Sequence, residues 1–286
     1  MDETHFFKKL DQIRDIPTLP AILFEINRLL QNENTSVSDI RVVIEKDQTM
    51  VMKILKLVNS SFFGFPSKIS SINNAIILLG YITIRNAVVT LAVVESFSKK
   101  NEQGSFEIEE LWKHSIAVAV VSRYLGETFS SVLVNDCFIG GLLHDIGKLI
   151  QFRFFRELFD AIWKVITEES LSFSQAEDRL NLVGHADIGG HLARKWMLPP
   201  CLIDAIEKHH DIPNEFESIS PLIIIHTADA VVNSGPGLQD VQMDLCQIHP
   251  IAASVMSNQL NRVSEWYPGL QAEIESCWRF FMKDSI

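Results

Sequence analysis

Apolar positions along this chain recur at three- and four-residue spacing almost throughout, the period of a helix with one buried face. Ile22, Leu23, Ile26, Leu29 and Leu30 form such a stripe behind Pro20, a residue suited to a first helical position. Ser36 with Asp39 predicts an N-cap ahead of Val37, Ile40, Val43 and Ile44. Asp47 opens another run through Met50, Val51, Ile54, Leu57 and Val58. Residues 64–71, with Gly, Pro and serines, read as a loop. Ser71 starts a short helix that Gly80 stops, and 83–97 predicts a further apolar helix. Beyond it the spacing predicts helices over 107–125, 135–154, 157–169, 174–181, 186–197, 200–209 and 221–232, with a weaker pair after Pro250 and Pro268. No alternating run is long enough for a sheet, and no fixed-period repeat occurs. The predicted fold class is all-α.

Composition narrows the class. At 286 residues, 47% hydrophobic and 21% charged, the chain has ample material for a core, as one large domain or two modest ones. Cys137, Cys201, Cys246 and Cys277 show no CxxC spacing, which argues against a zinc knuckle, a redox pair or a disulfide framework. The charged start MDETHFFKKL predicts no signal peptide. The most apolar stretch, 75–94, contains Arg85 and Asn86 and reads as buried helix, not a membrane span. A cytoplasmic protein without a membrane partner is expected.

The polar segment 99–105 (KKNEQGS) coincides with a step in charge and predicts a boundary between residues 1–104 and 105–286. The first part carries 12 Lys/Arg and 11 Asp/Glu, the second 13 and 25, and eight of the nine histidines fall in the second. Two short helices meeting at 45–47 have helix-turn-helix spacing, but no basic face follows them and a net charge of +1 gives little counterion release, so no DNA partner is expected.

The second part places ionisable residues inside otherwise apolar helices. Glu110 and His114 are four apart on one face. His144–Asp145 interrupts FIGGLLHDIGKLI, His185 follows Gly184 at a helix start, His209–His210 closes a helix, and Asp229 sits in PLIIIHTADAVV. One buried histidine is usually a hydrogen-bonded core residue. Several buried ionisable groups in one domain are expensive unless they share a partner, and a divalent metal is the simplest one. Imidazole with carboxylate suits Fe, Mn, Zn or a similar first-row ion. Neighbouring helix positions diverge by roughly 100°, so Asp145 can bridge two ions while each histidine binds one. Such a pair can activate water and stabilise a phosphoryl group. Lys148, three residues after Asp145, either holds phosphate, supports the site or is a surface lysine. His191 and His226 are assigned to structure, and His5 and His249 have no context.

The order His114, His144–Asp145, Asp229 resembles the HD superfamily of metal-dependent phosphohydrolases. The words IPTLP at 16–20, Asp47, LKLVNSSFFG at 55–64 and ISSINNAIILLG at 69–80 sharpen the match, as do LWKHSIAVA at 111–119, GGLLHDIGKL at 140–149, GHADIGGHLARKW at 184–196, LPPCLIDAIEKHH at 198–210 and HTADAVV at 226–232. Together they resemble the HDOD family of bacterial signal-transduction modules, over roughly residues 10–235. The resemblance implies an N-terminal helical subdomain over 1–104, an HD-like helical domain over 105–286, and a regulatory role through a protein partner. Many HDOD members lack the metal ligands; this sequence keeps them. The fuller set is similar to that of HD-GYP cyclic di-GMP phosphodiesterases, which implies two ions bound by Glu110, His114, His144, Asp145, His185, His209, His210 and Asp229, with Lys148 on phosphate. Their Gly-Tyr-Pro loop is absent, since DIPNEFESIS follows His210. The alternative to a regulatory module is therefore an active phosphohydrolase on a nucleotide or cyclic dinucleotide, with Asp145 and Lys148 as its catalytic residues.

Overall fold

The computed structural model describes residues 3–13, 16, 25–26, 28–29, 35–59, 67–98, 106–129, 134–213, 219–234 and 248–283. Every regular element among them is helical. Most of the stripe behind Pro20, residues 64–66 of the 64–71 loop, the 99–105 boundary and part of the segment after His210 lie outside the described residues. The chain divides into two compact units, Met1–Ile16 with Gln103–Pro268 and Pro17–Glu102 with Gly269–Ile286. Each unit draws on both ends of the chain, whereas the charge step alone suggests a single cut at 104.

Helix α1 (Glu3–Gln12) belongs to the first unit and was not expected from the polar start. Its Phe6 and Leu10, one turn apart, are buried, and the Phe6 ring lies 4.6 Å from that of Phe155. The second unit follows. Ser36 and Asp39 form a reciprocal capping box at the start of α2 (Val37–Glu45), and Asp47 accepts from the Met50 amide at the start of α3 (Gln48–Val58). Asn59 then bonds Leu55 and both backbone groups of Ile69, closing the chain back toward α4 (Ile72–Leu79). Gly80, at φ +78°, takes a left-handed conformation open to glycine, and the chain turns by 115° into α5 (Tyr81–Ser98). Ile40, Ile44, Ile54, Val58, Ile72, Ile84 and Val88 are buried in this unit. Among the described residues, no single helix is long and apolar enough to cross a membrane.

The rest of the first unit runs through α6 (Phe106–Glu127), α7 (Val134–Leu143), α8 (Ile146–Phe154), α9 (Arg156–Glu169), α10 (Phe173–Arg179), α11 (His185–Lys195), α12 (Pro200–Lys208) and α13 (Pro221–Asn233). Shorter helices α14 (Pro250–Val255), α15 (Ser257–Leu260) and α16 (Val263–Trp266) end it, and α17 (Gln271–Trp278) returns to the second unit. Helix α6 packs on α7 and α13, α12 packs on α11 and α13, and α8 packs on α11.

One departure from the sequence matters. The apolar pattern predicts a single helix over 135–154, but the chain breaks at His144–Asp145. Asp145 occupies the N-cap position of α8 without a side-chain capping bond, because its carboxylate is engaged elsewhere. The first turn of α8 passes so near the start of α11 that a Cβ on Gly147 would lie 2.0 Å from the His185 carbonyl oxygen.

Candidate metal centre

All the residues of interest lie in the first unit. His114 projects from α6, His144 and Asp145 from the α7–α8 break, His185 from the first position of α11, His209 and His210 from the end of α12, and Asp229 from α13. Ligand-type atoms of Asp145, His185, His209 and His210 lie within 4.8 Å of one another, as do those of His114, His144 and Asp145. Asp145 belongs to both groups. Its Oδ1 is 3.2 Å from His185 Nε2 and 3.7 Å from His209 Nε2. Its Oδ2 is 3.4 Å from His144 Nε2 and 3.6 Å from His114 Nε2. Asp229 Oδ1 joins this second side, 2.9 Å from His114 Nε2 and 3.7 Å from His144 Nε2.

The rings are held so that Nε2 faces inward. His144 Nδ1 donates to the Gly141 carbonyl at 2.6 Å, and His209 Nδ1 donates to the Ile206 carbonyl at 2.8 Å. A carbonyl only accepts, so Nδ1 carries the hydrogen in both. His185 Nδ1 lies 2.7 Å from the Glu177 carboxylate. The Nε2 atoms of His185 and His209 are 3.3 Å apart, and those of His185 and His210 3.0 Å. Two imidazole lone pairs at that separation repel unless a proton or a cation stands between them.

Electrostatics agree. Burial opposes protonation of His144, but the Asp145 and Asp229 carboxylates outweigh it and push its pKa up to about 10. Burial, reinforced by nearby imidazoles, pulls His209 down to about 4; His210 is exposed as a residue, but its ring, packed against His185 and His209, is desolvated enough to be lowered as well. Burial also works against the charged forms of Asp145 and Asp229, yet His144 with Lys148 and His114 with His144 hold both well below the usual carboxylate range. The cluster thus combines ionised carboxylates with imidazole nitrogens, a donor set for first-row divalent ions. His114 Nε2, His144 Nε2 and Asp145 Oδ1 are buried without a well-aligned hydrogen bond, the condition a bound cation relieves. On these grounds the residues fit a metal.

Not every expected residue joins the cluster. Glu110 is exposed and pairs with Lys113 at 2.9 Å on the solvent side of α6, and neither group of converging ligand atoms includes it. Lys148 does arrive: its Nζ is 2.6 Å from Asp145 Oδ2 and 5.1 Å from the centre of the Phe173 ring. His226 is closed on both sides, with Nδ1 donating to the His209 carbonyl at 2.6 Å and Nε2 accepting from the His249 amide at 2.9 Å. His191 binds Asp11 of α1 at 2.9 Å. The sequence gives no warning of Glu177, which is buried beside His185, because its link crosses the loop between α10 and α11 and follows no helical spacing.

The HDOD domain family matches residues 16–212. An uncharacterized protein of Treponema pallidum is 30% identical over 214 residues, 74% of this chain and 41% of its own length. Ribonuclease Y of Mycoplasma mycoides is 28% identical over 156 residues, 54% of this chain and 29% of its own length. The chain therefore spans less than half of either curated relative. Among solved structures, an HDOD domain protein with unknown function from Geobacter sulfurreducens superposes with a TM-score of 0.73 at 25% identity, covering 97% of both chains.

Proposed function

The chain belongs to the HDOD family, and on that premise we propose that it is a regulatory signal-transduction module built around a retained divalent-metal centre. The observation that carries this reading is the meeting of two ligand groups at Asp145. One ion would be held by Asp145, His185, His209 and His210, and a second by His114, His144 and Asp145, with Asp229 beside them. Input arrives as the metal, a ligand or a partner, and output passes to a protein partner. Val42, Met52, Ile77 and Leu78 of the second unit are each at least half exposed, apolar surface of the kind protein partners cover.

The alternative reading is a phosphohydrolase acting on a nucleotide, cyclic dinucleotide or other phosphodiester. The placement of Lys148 favours it, since its ammonium sets a positive charge beside the shared carboxylate. A ribonuclease among the relatives is consistent with it. Divalent ions, when bound, supply activation of a water and charge neutralisation at a phosphoryl group. The chain's own contribution is to keep Asp145 and Asp229 ionised, to present imidazole Nε2 atoms from fixed rings, and to position Lys148.

Elemental analysis of the purified protein, paired with an assay on an activated phosphodiester, separates the readings. The regulatory reading expects bound first-row metal with slow hydrolysis at most, and weak or absent turnover of cyclic di-GMP. Metal-dependent turnover on the order of 1 per second or faster would reject it in favour of the enzyme.

A further inference from the structure

We propose that Glu177 is a positioning residue for the metal centre, holding His185 so that its Nε2 faces Asp145, His209 and His210. The proposal rests on the metal-centre reading above. Glu177 is 2% exposed on α10 and belongs to neither ligand group. Both its oxygens are committed. Oε1 accepts from the His185 amide at 2.7 Å and from Gln151 Nε2 at 2.7 Å, and Oε2 lies 2.7 Å from His185 Nδ1. A carboxylate this buried needs partners, and two of these three contacts fall on one residue.

The reason lies in where His185 stands in its helix. His144 and His209 each follow a helical turn, and each ties Nδ1 to the carbonyl three residues back, Gly141 and Ile206. His185 is the first residue of α11, so no preceding turn of that helix offers a carbonyl. Glu177 brings the missing acceptor from α10. Its second bond, to the His185 amide, satisfies one of the donors that a helix start leaves open. Ring and backbone are therefore fixed together. A free imidazole can turn over and present either nitrogen; with Nδ1–H held by Glu177 it presents Nε2. Gln151 sits on α8, the helix that Asp145 opens, so one buried network supports both Asp145's helix and His185's ring.

The test is titration of the intact 286-residue chain, freed of metal, with Co²⁺, read by affinity and by the visible absorption of the bound ion. Glu177→Gln keeps the size and loses the charge and one acceptor. It should lower Co²⁺ affinity by about 10- to 100-fold and alter the absorption band, with the helical circular dichroism unchanged. In a His185→Ala background the same substitution should have no further effect on affinity, which a merely structural role would not predict. Should Glu177→Gln fail to fold, Gln151→Met supplies the same comparison with a smaller loss, again absent without His185. Wild-type affinity and spectrum in the folded variant, or equal losses with and without His185, would overturn the proposal. No Co²⁺ uptake by the wild-type chain would instead overturn the metal-centre reading, and the proposal with it.

Discussion

The first turn of α8 lies against the start of α11 with no room for a side chain: a methyl on Gly147 would sit 2.0 Å from the His185 carbonyl oxygen. Backbone cannot swing aside as the tip of a flexible side chain can. Gly147→Ala should therefore cost about 3 kcal/mol, the upper end for overpacking, and should lower metal content by moving Asp145 away from His185. A denaturant midpoint equal to wild type with full metal content would contradict this.

His144 and Asp145 occupy the break where both ligand groups meet. Changing both to Ala should remove most of the bound metal. Elemental analysis showing unchanged metal after the double substitution would sink the assignment of these residues.

Metal uptake should depend on pH in one direction. In the metal-free protein His144 is protonated up to about pH 10, and burial has already kept His209 neutral down to about pH 4. A cation at His144 must displace its proton, so affinity should rise with pH between about 6.5 and 9, by roughly tenfold per unit for each proton released. The His185 pKa is also raised, despite burial, by Glu177 and Asp145, so a second proton can contribute. The same shift makes protonated His144 stabilise the metal-free fold fully below about pH 6.5, with that contribution lost as pH rises through 10. Calorimetry in buffers of different ionisation enthalpy counts the protons, and a count of zero near pH 7 would refute the prediction.

His226 should behave unlike its neighbours. Replacing it with Leu leaves the buried His209 carbonyl without its partner, at about 1–3 kcal/mol, and the half-buried His249 amide without its own at a smaller cost. Thermal stability should fall while metal stoichiometry at saturating metal is retained. Loss of an ion from a folded His226→Leu protein would place it among the ligands.

Much of this architecture is legible in the sequence, and the exceptions share a cause. Ser36, Asp47, Ser71 and Gly80 act where local caps predict, since each works through backbone within four residues. The break at His144–Asp145 is invisible to periodicity, because apolar residues continue on both sides and the force that breaks the helix comes from distant partners of Asp145. Glu177 is hidden for the same reason. Glu110 enters through family resemblance and helical spacing alone; Lys113, three residues on, draws it to solvent. Helix α1 escapes because a polar start masks the one-turn spacing of Phe6 and Leu10.

The stitch from His209 through His226 to His249 bears on how such a module can be exchanged between proteins. The family match ends at 212, yet Asp229, His226 and His249 lie beyond it, and α1 lies before its start at 16. A graft cut at the limits of the match would carry six of the seven proposed ligands and leave the His209–His210 turn without its anchor. The proposed metal site draws on the first unit beyond the end of the match, and recombination that respects only the recognisable words would deliver it without Asp229.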